Sequence, residues 1–129
     1  MKRLLVLLFA PLLMATQCED DFDNSGFETS YIIQNDSNTV LFLLNGEETF
    51  IEIQRQSELN FGSDLNSETN PIAPSESLVF DEIKLYKKEN ENFIFVYGQS
   101  PVEDATWMLD EPVTNRYEYR LVITDTLIE

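Results

Sequence analysis

"YEYRLVITDTLIE", residues 117–129, closes the chain. Tyr117, Tyr119, Leu121 and Ile123 fall on one side of an extended backbone; Glu118, Arg120 and Thr124 fall on the other. Successive side chains of a strand point to opposite faces, so alternation of this kind marks a strand with one face in a core and one in water.

Working outward from that strand, the same period of two recurs and no long window carries helical spacing. Residues 29–34 place Tyr31 and Ile33 on one face, and the polar Asn35-Asp36-Ser37-Asn38 turns the chain. Residues 39–44 are apolar on both faces, which predicts a central strand, and Asn45-Gly46 turns the chain again. In residues 49–54 Ile51 and Ile53 alternate with Glu52 and Gln54. "GSDLNSETNPIAPSES", residues 62–77, reads as a loop with an edge segment near Ile72, and residues 77–80 as a short strand. Residues 82–87 and 93–97 flank the charged tip "KENEN". "FIFVY" (93–97) is apolar on both faces and predicts a second central strand. Residues 99–114 form a second long loop, which carries the only tryptophan, Trp107. Seven or eight short strands predict an all-β fold: an antiparallel, immunoglobulin-like β-sandwich, with a small β-barrel as the alternative. The expected core is Ile33, Val40, Phe42, Leu44, Ile51, Ile53, Phe80, Ile83, Leu85, Phe95, Tyr119, Leu121 and Ile123.

The other end of the chain is of a different kind. Met1-Lys2-Arg3 is a positive head, and residues 4–14 are uncharged and apolar but for Pro11. Such a run is too short to cross a hydrocarbon core of ~30 Å, which takes about 20 residues, and it has the anatomy of a secretory signal peptide. It leads to "LLMATQCEDDFD", residues 12–23, where the chain's single cysteine precedes an acidic run. Ala15-Thr16-Gln17-Cys18 resembles the lipobox of bacterial lipoproteins, although Gln17 stands where a small residue is usual and Ala15 where leucine is usual. That resemblance implies cleavage before Cys18 and lipidation of Cys18. Glu19, Asp20, Asp21 and Asp23 resemble the export signal of Bacteroidota surface lipoproteins; read from charge alone, they form an extended tether. The expected layout is a signal peptide (1–17), a lipidated cysteine with its acidic tether (18–27) and one sandwich domain (28–129). The expected location is the outer membrane, lipid-anchored and facing the cell surface, with the periplasmic leaflet as the alternative. A buried thiol at Cys18 is the ordinary reading against which the lipobox stands.

"IAPSESLVFDEIKLY" (72–86), "FIFVYG" (93–98), a tryptophan in the next loop and "YEYRLVITDTLI" (117–128) together resemble small Bacteroidota lipoproteins of unknown function. The resemblance covers most of the chain after residue 17 and implies a fold, with no catalytic residue to carry over.

Composition narrows the chemistry. With 8 basic and 24 acidic residues the formal charge is −16, unfavourable for nucleic acid and for a basic-patch contact with anionic lipid. The chain has no histidine, hence no histidine-based triad or Cys/His zinc site, and a lipidated Cys18 leaves no thiol nucleophile. "DFDNSG" (21–26) matches the opening of a calcium loop through Asp21, Asp23, Ser25 and Gly26, but Ile32 occupies the twelfth position, where a bidentate glutamate is needed. No metal, cofactor or catalytic residue is expected. The expected activity is non-catalytic: a membrane-anchored binding or accessory module for a protein or glycan, with Trp107, Tyr86 and Tyr97 as candidate contact residues. The alternative is a small carboxylate-dependent hydrolase acting on glycans.

Overall fold

Eight strands form two four-stranded sheets in a computed structural model that describes residues 27–46, 48–66 and 69–129. The strands are β1 (Phe27–Asn35), β2 (Leu41–Asn45), β3 (Thr49–Ile53), β4 (Ser57–Asn66), β5 (Ile83–Glu89), β6 (Asn92–Gln99), β7 (Met108–Val113) and β8 (Arg116–Ile123). One sheet has the order β4-β1-β8-β7 and the other β3-β2-β5-β6. They are here named the first and second sheet. All pairings are antiparallel except β1 with β8, which run parallel in continuous register from Glu28↔Arg116 to Asn35↔Ile123. The two sheets stay separate and face each other as a sandwich, not a closed barrel.

The core lies between them. Tyr31 and Ile33 of β1, Leu41 and Leu43 of β2, Ile53 of β3, Ile83 and Leu85 of β5 and Leu121 and Ile123 of β8 are buried together with Val102, Trp107 and Ile128. Ile51, Phe80 and Tyr119 pack against this cluster, as the alternation predicts. Tyr31 is its aromatic centre, edge-on to Phe80 at 5.0 Å and to Trp107 at 6.5 Å.

Several expectations are corrected. On β2 the inward residues are Leu41 and Leu43, not Val40, Phe42 and Leu44. Both sets are apolar, so alternation does not choose between them, and a one-residue slip exchanges the faces. The partner strand decides: Leu41 lies opposite Ile53 and Leu43 opposite Ile51, so inward isoleucines carry the leucines inward. Residues 93–97 are not central. β6 is an edge strand, and Phe95 is 55% exposed while Val96 packs against the core. Val96 is the extra residue of a bulge between the pairs Tyr86↔Phe95 and Leu85↔Tyr97, so the consecutive Val96 and Tyr97 both pack against the core and strict alternation breaks there.

Two strands run through segments read as irregular. β4 pairs with β1 along its length despite Gly62, because a bulge at Phe61 absorbs the irregularity between Tyr31↔Gly62 and Ile32↔Asn60. A Cβ on Gly62 would meet the Val79 side chain at 2.3 Å, so the following loop lies against the strand there. β7 forms within 99–114 although it carries Asp110, Glu111 and Pro112; an edge strand tolerates charge and proline. Residues 77–80 are irregular after a 3₁₀ turn (Pro74–Glu76), not a strand, since the backbone N–H groups of Ser77, Leu78 and Val79 go to the Pro74 carbonyl, Asp64 and the Ser77 hydroxyl. The segment at Ile72 is also irregular, held by its N–H on Thr29 Oγ1 at 3.1 Å.

Side chains close the polar ends of the sandwich. Asn35, fully buried, directs Nδ2 at the carbonyls of Thr39 (2.8 Å), Ile53 (3.2 Å) and Gln54 (3.1 Å). Its Oδ1 accepts from the Ser37 hydroxyl at 2.6 Å and the Ser37 N–H at 3.1 Å. The end of β1 is thereby tied to the end of β3 in the other sheet and to the segment leading into β2, and buried polar groups of the turn are satisfied.

Candidate functional site

The two outer faces of the sandwich differ: one carries the ion pairs that join its strands, the other a layer of aromatic rings. On the first sheet the positions that alternate with the core are mixed: Ile32, Leu65, Met108 and Val122 are apolar, set among polar residues that pair with one another. Arg116 pairs with Glu28, Arg120 pairs with Glu58 and Glu118, and Ser30 bonds Ser63 at 3.0 Å. On the second sheet the alternation places Phe42, Phe50, Tyr86, Phe93 and Phe95 outward, since their neighbours Leu41, Leu43, Ile51 and Leu85 point in.

These five rings form one continuous layer. Phe50 stacks on Phe93 with centroids 3.9 Å apart and planes 8° from parallel. Phe42 meets Phe93 edge-to-face at 5.2 Å, Phe50 meets Tyr86 at 5.3 Å and Tyr86 meets Phe95 at 5.7 Å. Edge-to-face and stacked pairs of this kind each contribute about 0.5–1.5 kcal/mol beyond burial. The layer is thus a fixed surface, not a set of loose side chains. Phe93 is 40% exposed and Phe95 more so. Among the described residues no α-helix covers the face. The Phe95 ring also lies over Gly98, where a Cβ would sit 2.7 Å from its Cζ; the glycine leaves the room that lets the ring lie flat along the strand.

Cations border the layer. Lys88 lies 5.8 Å from the centroid of Phe93, within cation–π range. A shallow depression of about 350 Å³ at one end is lined by Phe42, Glu52, Arg55 and Lys88 among others. Lys84, also outward, pairs with Glu82 at 3.0 Å, and that carboxylate raises its pKa.

The structure separates the three aromatic residues singled out from sequence. Tyr86 belongs to the outer layer. Tyr97 lies inside against the core, its hydroxyl accepting from Gln99 Nε2 at 2.7 Å. Trp107, 6% exposed, is a core residue whose Nε1 donates to Gln99 Oε1 at 3.1 Å. Trp107 is therefore not exposed for a surface contact, whereas Tyr86 stands on the outer face beside four phenylalanines. Three of the four, Phe42, Phe93 and Phe95, are legible in principle: β2 and β6 are apolar on both faces, and a sandwich has only one interior for them to fill.

Other candidate chemistry is satisfied from within. Asp64 is the one buried carboxylate among the described residues, and its Oδ2 accepts from the Tyr31 hydroxyl (2.9 Å), the Ser77 hydroxyl (2.7 Å) and the Leu78 N–H (3.3 Å). Burial and that hydrogen bond hold the Tyr31 phenol well above the ordinary tyrosine range. Among the described residues no three acidic, cysteine or histidine side chains gather as a metal site. Cys18, Glu19, Asp20, Asp21 and Asp23, with Ser25 and Gly26, lie outside the described residues; Ile32 is buried in β1. No described helix is long and apolar enough to cross a membrane. Comparison with protein-family models, with curated proteins and with solved structures returned no match.

Proposed function

We propose that this chain is a lipid-anchored lipoprotein of the bacterial outer membrane, displayed at the cell surface, that binds a protein partner without catalysis through the outer face of its second sheet. The observation that carries the binding reading is the continuous layer of five rings on the outer face of the second sheet, whereas the apolar residues on the other outer face stand among ion pairs. Exposed apolar patches of this kind mark interaction sites, and aromatic anchors dominate protein interfaces. A protein partner is favoured over a glycan by the rings themselves. Four of the five lack a polar tip, and Phe50 and Phe93 spend ring faces on each other that a sugar would need. A non-catalytic role is supported by the lack of histidine and by the use of Asp64 as a structural acceptor.

Two experiments test the parts separately. A photoreactive phenylalanine analogue is placed at Phe95 and, as control, at Asn60 on the first sheet's outer face, in cells that produce the protein naturally. A discrete protein adduct is expected from position 95 and none from position 60. No adduct at 95, or the same adducts from both positions, would count against the face. For the anchor, Cys18→Ser is expected to abolish labelling by a radioactive fatty acid, and label retained by the variant would refute lipidation at Cys18.

A further inference from the structure

The sandwich has four edge strands, and three of them are guarded. β3 is only five residues long and carries Glu52. β4 carries Glu58 and a bulge at Phe61, and Val79 lies against it at Gly62. β7 carries Asp110, Glu111 and Pro112. Shortness, charge, proline and bulges are the usual devices that stop an edge from pairing with another chain. β6 has neither a charged residue nor a proline among its eight residues, and among the described residues it pairs only with β5. Its single bulge is at Val96, which leaves Asn92–Phe95 regular. Phe93 and Phe95, the most exposed rings of the aromatic layer, stand on this strand.

We infer that β6 is a docking edge, to which an extended segment of a partner protein adds as a further strand. This rests on the binding reading above and names the partner's form. Added there, the segment's backbone would meet the open edge, and every second side chain would extend the aromatic layer beyond Phe93 and Phe95. Charge sets the rest of its chemistry. The centre of the edge is neutral, the β5–β6 hairpin end is mixed (Lys87 paired with Glu89, Lys88 over Phe93, and Glu91), and the end just past Gln99 carries the exposed carboxylates Glu103 and Asp104. The complementary segment is apolar in its centre and basic overall, most of all at the end that meets Glu103 and Asp104, and the overall charge of −16 steers such a segment inward. A second copy of the chain fits poorly, because each copy carries a formal charge of −16 and the two would repel.

The test is hydrogen exchange followed by mass spectrometry on the full chain in detergent. The probe is a short synthetic peptide that alternates valine and threonine and carries two lysines at each end. A twin is N-methylated along one backbone edge, and a second twin has glutamates in place of the lysines. With the first peptide at about ten times its Kd, exchange in the segment 92–99 should slow roughly tenfold, with 108–113 unchanged. The N-methylated twin should protect nothing, and the glutamate twin should bind more weakly. Protection of 108–113 instead, equal protection by the N-methylated twin, or no protection of 92–99 would overturn strand addition. Ile94→Lys introduces the missing guard on the side of the strand away from the rings and should abolish both the protection and the adduct at position 95. Persistence of that adduct in Ile94→Lys would overturn strand addition while leaving the aromatic face as the binding site; absence of the adduct in the unmodified chain would remove the face itself.

Discussion

Tyr31 does three things at once, and its chemistry explains why the loop after β4 stays down. Its ring is the hub of the aromatic core, and its hydroxyl lies 2.9 Å from both Asp64 Oδ2 and the Ile72 carbonyl, sharing one proton between two acceptors. Asp64 in turn holds Ser77 and Leu78, so one buried tyrosine fastens the loop to the sheet. A hydrogen bond to a charged group contributes about 1.5–3 kcal/mol, and Tyr31→Phe should cost about that while leaving the ring contacts intact. The same residue makes stability depend on alkaline pH. Burial first, then the hydrogen bond to Asp64, raise the Tyr31 pKa in the folded state; burial, then the charges of Asp104 and Glu76, raise that of Tyr119. An acid whose pKa is raised by folding keeps its proton in the native state after the unfolded chain has lost it. Its stabilisation is therefore complete below the unfolded range near 10.0 and declines as pH climbs above it. Each such tyrosine contributes a slope of about 1.4 kcal/mol per pH unit at most. Urea midpoints between about pH 9 and pH 12 should fall less steeply for Tyr31→Phe than for the unmodified chain, Tyr119 supplying the remainder. Identical slopes would show that Tyr31 titrates as freely in the fold as out of it.

At the scale of elements, what was legible and what was not have a common cause. β8 reads clearly because its two faces differ: Leu121 and Ile123 are buried while Glu118 and Arg120 make ion pairs on the other side. β3 reads clearly for the same reason. β2 and β6 were recognised as strands, but their facing and position were not, because alternation carries no information when both faces are apolar. In β2 the partner isoleucines settled the facing; in β6 the second apolar face marked an exposed layer, not a buried strand. β4 and β7 were missed as strands for the converse reason. Their polar residues, Gly62 and Pro112 are what an edge strand can hold, and composition alone does not separate such an edge from a loop. The candidate site suffered most from this. Trp107 drew attention as a lone loop aromatic, yet Gln99 satisfies its N–H and the core takes its ring. Alternation alone sends Phe42 and Phe95 to the core, because it carries no information on strands apolar on both faces.

At the scale of the whole molecule the dominant electrostatic fact is imbalance. The ion pairs among the described residues, such as Lys84–Glu82 and Lys87–Glu89, sit on partly exposed side chains. Exposed pairs contribute about 0–1 kcal/mol each and weaken as salt rises. Against them stands the mutual repulsion of 24 acidic residues offset by only 8 basic ones, which also weakens as salt rises. The two effects predict opposite signs. Pairs act over a few ångströms, within the screening length at any ordinary salt. Repulsion between scattered carboxylates acts over longer distances, and it is these that salt removes when the screening length falls from ~30 Å at 0.01 M to ~10 Å at 0.1 M. Repulsion should win, so added sodium chloride should stabilise the fold. A relief of about 0.5–1 kcal/mol corresponds to several degrees, since about 1 kcal/mol moves the Tm of a domain of this order by ~4–8 °C. Thermal melts followed by circular dichroism at the two salt concentrations decide the sign. A Tm that falls with salt would place the stabilising weight on the ion pairs, chiefly the Arg116 and Arg120 pairs that join β8 to β1 and β4. A Tm that rises would identify the acidic surface as a standing cost to stability, one that a basic partner at β6 would relieve in the same way as salt.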